Sequence, residues 1–262
     1  MTDASTPAVT VEKTAGHIAI VTINRPEARN AVNGAVARGL ERAVRETEAD
    51  DDVWCVILTG AGDQAFCAGA DLKEVAAGRR ESISTPAGGF AGFVHMPRAK
   101  AWIAAVNGFA LAGGLEIMLA CDMAVASEKA AFGLPEVTRG LVALAGGVYR
   151  LPRAIPRNIA LELIATGRRL DAKRAGELGL VNHVVPHERL RAAALELAEA
   201  VCANAPVAVR ESLAVARRAH DLSDADLRRL GEEAAARNAA TLDFLEGPRA
   251  FVEKRAPRWQ GR

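Results

Sequence analysis

Apolar residues run almost unbroken from Ala101 to Val106, stop at Asn107-Gly108, resume at Phe109, pass Gly113-Gly114 and continue through LEIMLACDMAVA to Ala126. An apolar run of this kind, cut by a turn dipeptide, predicts a buried strand over Trp102–Val106, a helix over Gly114–Cys121 and a strand over Met123–Ala126. Upstream, Val9–Glu12 and His17–Ile23 flank Ala15-Gly16 as an opening hairpin would. Pro26 ends the second strand, and Asn33 can cap an amphipathic helix that runs through Ala35, Leu40 and Val44 towards Glu48. Trp54–Thr59 is a β-branched run between acidic and glycine-rich boundaries, hence another buried strand. Phe66–Glu74 reads as a strand end, a glycine turn and a helix start, and Gly78–Gly92, rich in small and polar residues, as a mobile loop.

From Gly147 onwards the pattern becomes helical. YRLPRAIP, RNIALELIATG and DAKRAGELG are each closed by Pro or Gly, Asn182–Val185 is a short strand, His187–Asn204 has helical spacing, and Pro206–Ala256 is almost all helix. Strand, turn, helix and strand in this rhythm predict an α/β fold with right-handed crossovers. The chain divides into a layered core, residues 1–200, and a C-terminal helical region, residues 201–262.

Composition removes several classes of function. Lys and Arg number 33 against 32 Asp and Glu, so nothing in the overall charge calls for nucleic acid or an anionic membrane as partner. Asn107, Glu116 and Asp122 interrupt the apolar stretch and argue against a membrane span. The four cysteines lack metal-ligand spacing and read as reduced, buried thiols, and the first residues lack a signal-peptide pattern, so a cytoplasmic protein without a metal site is expected. No G-x-S-x-G, phosphate loop or zinc-spaced histidine pair is present.

Two features remain that can carry chemistry. Glu116, after Gly113-Gly114, and Glu136, after Pro135, are each the acidic residue of an apolar, glycine-containing stretch. Two carboxylates in different environments can divide acid and base roles, although glutamates near helix N-termini also occur for electrostatic reasons alone. Gly69-Ala70 and Gly113-Gly114 each join a strand to a helix start, where free backbone N–H groups can meet a ligand. Two such donors aimed at one point form an oxyanion hole, whereas each turn alone is an ordinary loop.

NRPEARNAV at Asn24–Val32, AFCAGADLKE at Ala65–Glu74, AAVNGFALAGGLEIMLACD at Ala104–Asp122 and FGLPEVTRGL at Phe132–Leu141 together resemble the crotonase, or enoyl-CoA hydratase/isomerase, superfamily. The resemblance extends to EGPRAFVEKRAPRWQGR at the C-terminus. It implies a ββα spiral core with a C-terminal helical trimerisation region, and an acyl-CoA substrate in which coenzyme A is part of the substrate, with no separate cofactor. It implies an oxyanion hole from the N–H groups of Ala70 and Gly113, with Glu116 and Glu136 as catalytic carboxylates. The CoA path is expected along Arg25, Ala28, Ala68, Ala70, Asp71, Leu72, Lys73 and Gly113. Phe251 and Lys254 are expected to reach a neighbouring subunit's CoA pocket in a trimer or dimer of trimers.

Because both glutamates are present, the resemblance points to hydration of a 2-enoyl-CoA. A carnitinyl-CoA-type dehydratase and an enoyl-CoA isomerase stand as alternatives on the same fold, with a non-catalytic acyl-CoA-binding or RNA-binding member, suggested by the basic stretch Arg150–Arg157, further behind. Two departures from the family pattern, Ala112 in place of the first glycine of a GGG and a missing proline in GLVALAGGVYRLPR, bear on substrate length. There Leu144 and Tyr149 are placed to shape the acyl pocket.

Overall fold

The computed structural model describes residues 7–262; Met1–Thr6, the first part of the segment read for a signal peptide, lie outside the described residues. The opening hairpin forms as β1 (Val9–Thr14) and β2 (Ile18–Ile23), paired antiparallel. Next come α1 (Gly34–Ala49), whose cap Asn33 accepts the Val36 N–H at 3.0 Å, β3 (Cys55–Gly60), β4 (Ala65–Cys67) and α2 (Leu72–Ala76). The segment expected to be a mobile loop instead holds a 3-10 turn, Arg80–Ile83, and a two-stranded ladder of β5 (Ser84–Thr85) and β6 (Gly89–Phe90). Ile83 and Ala91 anchor it in the core, a contribution hidden among small polar residues in the sequence.

The apolar stretch becomes β7 (Ala101–Val106), β8 (Phe109–Leu111), α3 (Gly113–Leu119) and β9 (Met123–Ser127), followed by β10 (Ala131–Gly133). A six-stranded sheet has the order β1-β2-β3-β7-β9 and ends on β12 (His183–Val185); every pair after the first is parallel. Its two faces are both covered, which explains the continuous apolar runs. Val56, Leu58, Trp102, Ala104 and Val106 pack on the α1 and α3 side, whereas Cys55, Ile57, Ala101, Ile103 and Ala105 meet Leu190, Ala194 and Ala198 of a later helix. Alternate residues serve opposite layers.

A second sheet, of four short strands in the order β11 (Arg169–Asp171), β10, β8, β4, is the element the hydrophobic pattern does not reveal. Each strand has three residues, too few for a period of two to register. This sheet carries the glycine turns on its strand ends.

Helices α4 (Gly147–Ala154), α5 (Arg157–Thr166) and α6 (Ala172–Glu177) precede β12. α4 ends at Ala154, ahead of Pro156 as the pattern predicts, and it contains Pro152, where fully buried Leu151 packs the turn into the core and offsets the missing N–H donor. The chain finishes with α7 (Leu190–Cys202), which covers the second face of the large sheet, then α8 (Pro206–Ala216), α9 (Asp224–Ala239) and α10 (Leu242–Val252). Among the described residues no single helix is long and apolar enough to cross a membrane.

Candidate active site

The NRPEARNAV loop is a bracket. Asn30, fully buried and in the left-handed region at φ +55°, uses its side chain three ways. Its Oδ1 accepts the Arg25 N–H at 2.9 Å, and its Nδ2 donates to the Ala61 and Ala65 carbonyls at 2.9 and 2.7 Å. Such full pairing is what makes a buried amide tolerable. Arg25 Nη1 donates to the Ala31 carbonyl at 2.7 Å and to Asp71 at 3.1 Å, while Asp71 also caps α2 through the Lys73 N–H. The loop therefore clamps both sides of the 68–71 turn.

That clamp orients Ala70. In the parallel bridge between Val32 and Ala70, the Gly69 carbonyl accepts from Val32 at 2.8 Å and the Asp71 N–H donates to Val32 at 2.9 Å. Ala70's own N–H faces the opposite way and, among the described residues, donates to nothing. Gly113 is the first residue of α3, so its N–H has no acceptor within the helix and finds none elsewhere among the described residues. The two turns touch: a Cβ on Gly69, which sits at φ +95°, would lie 3.1 Å from the Gly113 nitrogen and 2.9 Å from Ala112 Cβ. Two free donors are thus neighbours across the β4–β8 strand ends.

Ala112 holds φ +52° and ψ −127°, angles of the first central position of a type II′ turn, which normally goes to glycine. Its N–H donates to the Gly133 carbonyl at 2.9 Å and its carbonyl accepts from Glu116 at 3.1 Å, so both neighbours hold the strained turn in place. With alanine at 112, the Gly113 N–H remains free among the described residues. The Phe90 ring, contributed by β6, packs directly over Gly113 and leaves no room there for a side chain.

Glu116, one turn into α3, is 3% exposed. Its Oε1 accepts the Gly147 N–H from the start of α4 at 2.9 Å. Burial pushes its pKa up to about 7, the Gly147 N–H opposes that rise, and the charge of Glu136 adds to it. Glu136 lies on a 3-10 turn, Pro135–Arg139, directly after β10 and buried Leu134. It is half-buried, burial raises its pKa against the pull of its own N–H and of Arg139, and its Oε2 is buried without a hydrogen-bond partner among the described residues. An unpaired buried carboxylate oxygen is costly unless a ligand or water meets it.

Of the remaining sequence-predicted residues, Ala28 ends the 3-10 turn Pro26–Ala28, and the Ala68 N–H donates to the Arg29 carbonyl beside it at 3.1 Å. Leu72 and Lys73 are exposed on the first turn of α2. Phe251 and Lys254 are exposed at the far end of α10, and no hydrogen bond around the glycine turns involves them. Gly147, Phe90 and Arg150 are neighbours of the site that the residue pattern did not single out; the GG before a helix start was the one local signal for Gly147. Buried Cys67, beside the Gly69 turn, has a thiol pushed up to about 12 and is no nucleophile at neutral pH.

Two carboxyls with raised pKa values beside two free, adjacent N–H donors define a site for proton transfer next to a developing oxyanion. Comparison with known proteins gives that class a family. Residues 13–262 match the enoyl-CoA hydratase/isomerase family. An enoyl-CoA hydratase of Mycobacterium tuberculosis H37Rv superposes with a TM-score of 0.93 at 44% identity, covering 98% of this chain and 100% of that one. A mevalonyl-coenzyme A hydratase of Aspergillus fumigatus is 39% identical over 250 residues, 93% of this chain and 92% of the relative. A carnitinyl-CoA dehydratase of Proteus mirabilis is 38% identical over 254 residues, 95% of this chain and 97% of the relative. The chain belongs to the enoyl-CoA hydratase/isomerase family of the crotonase superfamily and is a hydratase-type lyase.

Proposed function

We propose that the protein is an enoyl-CoA hydratase, adding water reversibly and with syn geometry across a trans-2-enoyl-CoA to give a 3-hydroxyacyl-CoA. The observation that carries this reading is the pairing of Glu116 and Glu136, both with raised pKa values, at a site with two unpaired N–H groups. The thioester oxygen sits between the Ala70 and Gly113 N–H groups, which hold the negative charge that develops when oxygen bonds to Cβ. One water lies between the carboxyls. Its oxygen attacks Cβ, Glu136 passes a proton to Cα and recovers one from the water, and Glu116 orients the water by accepting a hydrogen bond. Burial brings both carboxyls nearer neutrality, where a group can give and take a proton with little penalty.

The CoA moiety follows Ala28, Ala68, Leu72 and Lys73, with the Lys73 ammonium near its phosphates. Arg25 and Asp71 act there by holding the turn rigid, since they are already paired with each other. Leu242, Phe244, Leu245, Phe251 and Val252 are exposed on α10, an apolar face that supports assembly into a trimer or dimer of trimers in which Phe251 and Lys254 meet a neighbour's CoA.

Dehydration of a carnitinyl-type thioester is the second reading, favoured by the likeness to the Proteus enzyme and using the same residues in reverse. Loss of the conjugated thioester absorbance, followed with crotonyl-CoA, longer enoyl-CoAs, crotonobetainyl-CoA and the dehydrated mevalonyl-CoA, tests both. A kcat/KM above all others for crotonobetainyl-CoA selects the second reading. Turnover of none, or hydration that survives in both Glu116→Gln and Glu136→Gln, overturns the hydratase assignment.

A further inference from the structure

The loop that supplies Glu116 with its hydrogen bond has no regular structure of its own. Ala143–Gly146 precede α4, and Gly146 sits at φ +121°, a conformation only glycine adopts readily. What occupies the space beside Gly146 is the Arg150 guanidinium, which packs so closely that any side chain at 146 would collide with it. Arg150 Nη1 donates to the Ala145 carbonyl at 3.1 Å, and its Nη2 donates to the Val94 carbonyl at 2.8 Å. Val94 follows closely on β6, whose Phe90 covers Gly113. One side chain thus joins the turn that serves Glu116 to the segment that packs against Gly113.

We propose that Arg150 is a positioning residue for Glu116: it pins the Ala145–Gly147 turn to the Val94 segment so that the Gly147 N–H stays aimed at the Glu116 carboxylate. The inference rests on the hydratase reading for its kinetic consequence alone. Both of its hydrogen bonds end on main-chain carbonyls, so the guanidinium keeps its full charge close to the turn. That charge favours ionised Glu116, whereas Glu136, facing it from the Pro135–Arg139 turn, disfavours it. The strands under α3 contribute one titratable group, the neutral Cys67 thiol. Glu116 therefore answers to two opposed charges, Arg150 on α4 and Glu136 on the 3-10 turn. The ionised form is the one that accepts a hydrogen bond from the attacking water, so Arg150 sets the lower pH limit of hydration.

Carbon-13 NMR of glutamate-labelled protein, with the Glu116 resonance identified by its loss in Glu116→Gln, reads this directly. Arg150→Met raises the Glu116 midpoint by about one pH unit, and Arg150→Lys, which keeps the charge without the two-armed grip, by less than about half of that. Arg153→Met, one turn further and paired at 2.9 Å with Asp221, leaves it unchanged. The acid limb of kcat/KM for crotonyl-CoA moves with the midpoint, so Arg150→Met loses about tenfold on that limb while the rate on the plateau changes less. A folded Arg150→Met with the wild-type midpoint, or an equal shift in Arg153→Met, overturns the proposal; if Arg150→Met does not fold, Arg150→Gln replaces it under the same criteria. Wild-type protein that hydrates no enoyl-CoA would overturn the hydratase reading, yet the NMR midpoints would still decide the role of Arg150.

Discussion

Glu116 and Glu136 stand on opposite kinds of scaffold. Glu116 belongs to a helix whose first six residues are all buried, and its carboxylate is tied to a neighbouring helix start. Glu136 belongs to a short 3-10 turn leading into Val137, Leu141, Val142 and Leu144, all more than 40% exposed, and one of its oxygens has no partner among the described residues. Packing fixes the first, so it suits holding a water in one orientation. The second, on a turn flanked by exposed apolar residues and with an unpartnered oxygen, suits proton transfer at a substrate carbon in the proposed reaction, with surroundings that could vary with the substrate. Relatives named for enoyl, mevalonyl and carnitinyl thioesters share this fold, in keeping with a fixed half and an adaptable half.

The contrast is sharpest in kinetics. Glu136→Gln is expected to lower kcat for hydration on the order of a thousandfold with little change in unfolding midpoint, because its buried Oε2 has no hydrogen-bond partner among the described residues to lose. Glu116→Gln is expected to lower kcat on the order of a hundredfold, since the amide still orients a water, and to do so without a large change in KM. Equal losses in the two variants would remove the division of labour.

The stability of Glu116→Gln breaks the comparison differently. The native carboxyl, held at about 7 against an ordinary 4.5, keeps its proton between those values while the unfolded chain has released it. Stability linked to this group is therefore full below about pH 4.5 and falls as pH rises to about 7, beyond which the buried charge costs about 3 kcal/mol. Glutamine carries no such cost. Urea unfolding should find Glu116→Gln more stable than wild type by up to about 3 kcal/mol at pH 8, with the gain shrinking towards pH 5. A gain that does not depend on pH would mean that the carboxylate is not strained there.

Ala112→Gly probes the fixed half with a smaller effect. Relief of the positive-φ strain, less the extra freedom glycine brings to the unfolded chain, should stabilise by about 1 kcal/mol, or 2–4 °C in a thermal melt. Leu144→Ala probes the adaptable half. Hydration of crotonyl-CoA should change by less than about threefold, while the preference among longer acyl chains shifts by up to about tenfold in kcat/KM. A large loss with crotonyl-CoA would show that Leu144 acts on the reacting carbons and not on the acyl tail.

Much of the molecule is legible along the chain wherever a single local rule suffices. The buried strands, the Asn33 cap and the glycine turns at Gly69 and Gly113 stand within a residue or two of where periodicity and turn chemistry put them. The four-stranded sheet escaped because three-residue strands carry no period, and the 78–92 segment because its apolar anchors are few and dispersed.

What the sequence by itself determined is therefore the α/β layering, the family, and the identity of two carboxylates and two glycine turns, all properties of contiguous residues. Tertiary structure alone decided that Gly69 lies against Gly113, that Phe90 packs where a side chain at 113 would be, that Gly147 serves Glu116, and that Arg150 reaches Val94. These contacts join residues 23 to 56 positions apart. Their existence depends on which strand ends lie side by side, and no spacing within a helix or strand encodes that.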